Sequence, residues 1–151
     1  MKIRPASIAD VETIVEFNQQ LALETENKTL PRDIVVPGVR GIFEKPSRGR
    51  YFVAEIDGQI VGQVMHTYEW SDWRNGDVWW LQSVYVSADF RGQGVFRALY
   101  DHVRQAAMDD PLVVGIRLYV ETENTTAQHV YTRLGFTGNT YHVMEEMFPI
   151  Q

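Results

Sequence analysis

The apolar pattern of this chain changes period once, sharply, between residues 86 and 95. Val78 to Val86 reads as a β run, whereas Val95, Leu99, Val103 and Ala106 recur at helical spacing and predict a helix over about 94–108. Between them stands Arg91-Gly92-Gln93-Gly94. Glycines there let backbone N–H groups turn toward a common point with no Cβ in the way. Free amides at a helix N-terminus, with the helix dipole behind them, form an anion site, and Arg91 adds a formal charge. A pyrophosphate is the natural guest, and a plain tight turn is the alternative. Two familiar phosphate folds are excluded by spacing. Arg97 stands where a dinucleotide fingerprint needs its third glycine, and Val95 follows Gly94 where a P-loop needs lysine.

The rest of the chain arranges itself around this turn. Residues 2–6 read as a strand, and Ser7 with Asp10 three positions on reads as an N-cap with an aspartate variant of the capping box. Ile8, Val11, Ile14, Val15, Leu21 and Ala22 then predict a helix over about 8–24. Pro31, Pro37, Gly38, Gly41 and Pro46 interrupt residues 25–49, leaving only a short helix over Val39–Glu44. Tyr51–Ile56, the hairpin signal Asp57-Gly58, and Ile60–Trp70 form two strands of a meander. A turn at Trp73-Arg74-Asn75-Gly76 leads to the third, Val78–Val86. Val113–Val120 reads as a strand parallel to the third, reached by a helical crossover. Asn124 caps a short helix carrying Ala127, Val130 and Tyr131, with Gly135 at its C-terminal turn. Phe136 and residues 141–147 read as weak β. The expected class is a mixed α/β domain, single over 1–151.

Composition narrows the function. The chain has 151 residues, 44% of them hydrophobic, which suffices for one core. Absence of cysteine excludes disulfides, thiolate metal sites and a cysteine nucleophile. His66, His102, His129 and His142 show no metal spacing. A net charge of −6 disfavours nucleic acid and suits cationic small molecules. No apolar run approaches the roughly 20 residues of a membrane span, and no signal-peptide core follows Met1, so a cytoplasmic location is expected.

The stretch Val84-Tyr85-Val86-Ser87-Ala88-Asp89-Phe90-Arg91-Gly92-Gln93-Gly94-Val95-Phe96 resembles the acyl-CoA motif of the GNAT superfamily of N-acetyltransferases. A second stretch, from Asn124 through Ala127 and Tyr131 to Gly135-Phe136, resembles that family's Asn-x-x-Ala-x-x-x-Tyr-x-x-x-Gly-Phe signature. Two departures are Asp89, where glutamine or arginine is usual, and Phe96, where a small residue is common. The resemblance implies a GNAT-type domain. Its central twisted sheet is mostly antiparallel, with one parallel pair that splays apart and helices on both faces. It implies acetyl-CoA as co-substrate and direct transfer of the acetyl group to a primary amine. Val84 and Val86 would then pair with pantetheine through their backbones, one amide facing the thioester oxygen. The amides of Arg91, Gly92, Gln93, Gly94, Val95 and Phe96 would hold the pyrophosphate. Asn124 would touch the pantetheine arm as well as capping its helix. Tyr131 would be the general acid that protonates the departing thiolate, a role a phenol suits because it stays protonated at neutral pH. Glu121, or a water held by Gln82 or Ser83, is a candidate base; none is assigned.

All four tryptophans lie between residues 70 and 80. The segment Tyr68–Val86 resembles the diamine acetyltransferase branch. Aromatic faces beside carboxylates suit an alkylammonium, so Trp70, Trp73, Trp80, Glu69, Asp72, Gln82 and Tyr85 are the substrate candidates. The same aromatics would also serve a packed hairpin or a dimer contact. Trp79 and Trp80 must face opposite sides of the sheet. The expected activity is N-acetylation of a small cationic amine. The rivals are a protein or peptide N-acetyltransferase and a non-catalytic acyl-CoA sensor. The resemblance admits a homodimer and no metal.

Overall fold

The computed structural model describes residues 1–138 and 140–149 and falls into two compact units, Met1–Tyr119 and Val120–Gln151. The first unit is built on a five-stranded sheet in the order β1 (Lys2–Pro5), β2 (Arg50–Ile56), β3 (Gln59–Ser71), β4 (Gly76–Val86) and β5 (Val113–Leu118). The first three pairings are antiparallel and β4–β5 is parallel, as the crossover between them required. Asp57 and Gly58 both take positive φ, 49° and 79°, the geometry of a two-residue hairpin turn.

The first helix opens with a 3-10 turn at Ile8–Asp10 and continues as α1 (Val11–Glu26). The Ser7 amide donates to Asp10 Oδ2 at 2.7 Å, and Arg4 Nη1 donates to the same oxygen at 2.8 Å. Asp10 is therefore both the capping acid and the partner of a guanidinium on β1.

Residues 25–49 hold more helix than expected. α2 runs from Arg32 to Glu44 with Pro37 inside it. Proline removes one backbone bond and strains the turn before it. Here Val35, Val36, Val39, Ile42 and Phe43 recur on one face and pack with Val11, Ile14, Val15, Tyr51 and Met65, so tertiary burial overrides the local breaker.

Alternation along the strands sorts the core onto two faces. Tyr51 and Met65 point to α1 and α2. Their neighbours Phe52 and His66 point to the other face, where Phe52 meets His102 of α3 (Val95–Asp109) at 5.1 Å. Val95 and Leu99 of α3 press on Gly62, where a Cβ would come within 2.9 Å of Val95.

The second unit carries α4 (Thr125–Arg133), capped by Asn124, whose Oδ1 accepts from the Ala127 amide at 3.1 Å. Gly135 has φ 100°, and the Phe136 amide bonds back to the Tyr131 carbonyl at 3.0 Å. The expected closing strand is not formed. Residues 141–147 take no strand conformation, and Tyr141, Val143, Met144 and Met147 are exposed. Among the described residues no helix is long and apolar enough to cross a membrane.

Candidate active site

The site starts from a fault in the sheet. β3 and β4 pair at Gln63–Tyr85 and again at Met65–Gln82, so Ser83 and Val84 together stand opposite Val64. This is a β-bulge, and Ser83 takes φ 51° to make it. Pairing of β4 with β5 ends at Leu81–Leu118, just before the bulge. From Gln82 to Val86 the far edge of β4 has no strand partner among the described residues. The Ser87 amide donates to the Val61 carbonyl at 2.8 Å, on the β3 side. Backbone groups alternate edges along a strand, so Val86 and Val84 present theirs to the open edge.

The open edge runs into the glycine turn. Gly92 and Gly94 take φ 74° and 79°, the left-handed region, and a Cβ at either would meet nothing within 4 Å. The space over the turn is therefore clear. Among the described residues the amides of Gly92, Gln93, Gly94 and Val95 donate no hydrogen bond. They sit at the N-terminus of α3, where the dipole favours an anion. Gln93 turns its side chain back, donating to the Asp89 carbonyl at 3.1 Å. Phe96 lies on the first turn of α3, its ring 6.3 Å from that of Tyr100.

Arg91 is placed differently from the expectation that it adds charge to the turn. Its Nη2 lies 2.6 Å from Glu24 Oε2, and its Nε donates to the Val86 carbonyl at 2.9 Å. Its guanidinium also lies over the Tyr85 ring at 5.4 Å. Tyr85 is buried, packs on Phe17 and donates its hydroxyl to Glu24 Oε1 at 3.2 Å. Burial first, then the Glu24 charge, pushes the Tyr85 phenol up.

The aromatic segment is divided. Trp79 is buried in the α3 face, stacked on His66 with ring centroids 3.8 Å apart. Trp80 faces the other way, against Tyr119 at 4.5 Å and beneath Arg117 at 5.9 Å. Arg117 Nη1 also pairs with Glu69 Oε2 at 2.6 Å, and Gln82 Nε2 donates to Thr67 Oγ1 at 2.6 Å. Trp80, Gln82, Glu69 and Tyr85 thus share the sheet face that carries α1. Trp70, Asp72 and Trp73 do not join them. Trp70 pairs with Asp77, about 20 Å of strand from the bulge at the usual rise per residue. Trp73 is 86% exposed at the hairpin tip, where Asp72 Oδ1 accepts its backbone amide at 2.9 Å.

Tyr131, on α4, has its ring 5.7 Å from Phe136, and burial pushes its phenol up, so it stays a proton donor throughout the neutral range. Glu121 accepts two bonds through its backbone carbonyl, from the Asn124 amide and from Gln128 Nε2.

Sequence reasoning missed Glu24 and the polar side chains under the bulge. One signal was available: Gln63 interrupts the apolar run Val61–Met65.

A bulged strand with one open edge thus leads through the amides of Gly92 to Val95 into the N-terminus of a helix. The family model described as "Acetyltransferase (GNAT) family" matches residues 13–136, and the chain belongs to that family. The crystal structure of a possible acetyltransferase from Clostridium difficile 630 superposes with a TM-score of 0.92 at 40% identity, covering 99% of this chain and 98% of that one. An N-alpha-acetyltransferase of Sulfurisphaera tokodaii is 28% identical over 89% of this chain and 79% of its own length. A streptothricin acetyltransferase of Escherichia coli is 32% identical over 56% of this chain; the match spans 45% of that protein.

Proposed function

We propose that this protein transfers the acetyl group of acetyl-CoA to the primary amine of a small cationic molecule. The observation that carries the reading is the continuity of the open β4 edge, at Val84 and at the Val86 amide, with the free amides of Gly92 to Val95. One surface thus offers strand-like pairing to an amide-bearing chain and, at its end, an anion site. Pantetheine and pyrophosphate have that order of groups.

Acetyl-CoA, when bound, supplies an activated acetyl thioester. The Val84 amide stabilises charge developing on the thioester oxygen, an interaction that strengthens toward the transition state. The acceptor ammonium gives its proton to a water on Gln82 or Ser83, or to Glu121. Its nitrogen then attacks the carbonyl carbon, the C–S bond breaks as the Tyr131 hydroxyl gives its proton to the departing sulfur, and the proton the nitrogen loses on becoming an amide restores the phenol. Tyr131 holds this role by its position in the second motif and by its protonation state. Asn124, at the head of the same helix, contacts the pantetheine arm.

The acceptor side takes its chemistry from Trp80, Tyr85, Glu69 and Glu24. Aromatic faces beside carboxylates stabilise alkylammonium groups, and each of these carboxylates now holds a guanidinium in the place a substrate cation would take. A second reading, acetylation of a protein α-amine, is favoured by similarity to the N-alpha-acetyltransferase over most of both lengths.

The test is release of CoA thiol from acetyl-CoA across polyamines, amino acids, aminoglycosides and short peptides. Selective turnover of small polycationic amines is the expected result. Turnover of peptides alone would replace this reading with the second, and failure to bind acetyl-CoA would overturn both.

A further inference from the structure

Gln63 of β3 is fully buried, and its Nε2 donates to the Ser83 carbonyl at 3.1 Å and to Asn18 Oδ1 at 2.8 Å. A backbone carbonyl only accepts, so the orientation of this amide is fixed. Asn18 of α1 donates in turn to the Tyr51 hydroxyl at 3.2 Å, and Tyr51 is 3% exposed on β2. Side chains from α1, β2 and β3 thus converge on the one peptide that the bulge turns. Gln63 Oε1 is buried without a hydrogen-bond partner. An unsatisfied buried acceptor destabilises the fold. A position serving packing alone would be better filled by an apolar side chain of the same length. The residue it holds, Ser83, stands at φ 51°, a conformation L-residues resist.

We propose that Gln63, backed by Asn18 and Tyr51, is a positioning residue that locks the Ser83–Val84 peptide so that the Val84 amide faces the thioester oxygen. Without that bond the bulge is free to relax and carry the amide off line. The inference rests on the reading of Val84 as the oxyanion donor.

The test is steady-state kinetics and calorimetric acetyl-CoA binding for the parent, Gln63→Met and Gln63→Glu. Gln63→Met keeps length and loses both bonds. Its kcat should fall about 100-fold, the scale of an ångström of misplacement. KM and Kd for acetyl-CoA should stay at the parental values, because the pyrophosphate turn is untouched. Gln63→Glu can donate to the Ser83 carbonyl only while its carboxyl is protonated. Its kcat relative to the parent should therefore decline as pH rises, a profile that damaged packing does not produce. A parental kcat in folded Gln63→Met, or a flat Gln63→Glu ratio, overturns the proposal. A parent that does not bind acetyl-CoA overturns the reading beneath it instead.

Discussion

His66 is 1% exposed between Phe52 and Trp79, with both ring nitrogens buried. Burial, reinforced by the Arg50 charge, lowers its pKa from 6.5 to about 4. Between those values the unfolded chain binds the extra proton and the folded chain does not. The stabilisation is thus complete above pH 6.5 and is lost as pH falls toward 4. A shift of this size corresponds to about 3 kcal/mol. Denaturation midpoints measured from pH 7 to pH 4 should show the slope, and His66→Phe should flatten it. Tyr131 makes a kinetic prediction at the same scale. In the proposed role its phenol supplies a proton only as the sulfur departs, so Tyr131→Phe should lower kcat by roughly 10²- to 10⁴-fold and leave the acetyl-CoA KM unchanged. An unaltered kcat would remove the acid assignment and leave the fold intact. The proposed role of Tyr131 rests on its motif, since a tyrosine on a short amphipathic helix is ordinarily packing.

At the scale of elements, the strand–turn–helix of β4 and α3 was legible because its two periods, 2 and 3.6, meet at glycines. Gly94→Ala adds a Cβ that meets nothing, so its whole cost is the φ of 79°. That strain is about 1–2 kcal/mol. If the turn relaxes to relieve it, the amides diverge, and acetyl-CoA affinity by calorimetry should fall by about tenfold, the equivalent of 1.4 kcal/mol. α1 shows a different dependence. Its first turn hangs on Asp10, whose carboxyl Arg4 holds below the usual carboxylate range. Asp10→Ala should destabilise the chain by about 2 kcal/mol in denaturant melts, combining a lost cap with the loss of one of the two carboxylates, Asp10 and Glu55, that hold Arg4. α2 was not legible. Pro37 and two glycines outweigh its propensity locally, and only the apolar face of α1 and Tyr51 compensates them.

For the whole molecule, a site made of amides at the end of a folded strand exists only in the native state. Binding there must raise apparent stability, by about 2.7 kcal/mol at a ligand concentration of a hundred times Kd. Thermal melts with increasing acetyl-CoA should show a rising midpoint, and the same series with Gly94→Ala should rise less at each concentration. A midpoint indifferent to acetyl-CoA would count against the cofactor site.

The order of elements, the hairpin at Asp57-Gly58, the parallel return of β5 and the amide cradle were all determined locally, because period, turn chemistry and handedness act over a few residues. The bulge at Ser83, the departure of β4 from β5 and the placing of Arg91 on Glu24 were decided by tertiary structure. Gln63 lies 20 positions from the carbonyl it holds. Glu24 lies 67 from Arg91. No local pattern encodes such distances. The tryptophan cluster shows the same division. Alternation placed Trp79 and Trp80 on opposite faces, but only the register of β3 against β4 put Trp80 near the bulge and left Trp70 and Trp73 at the far tip.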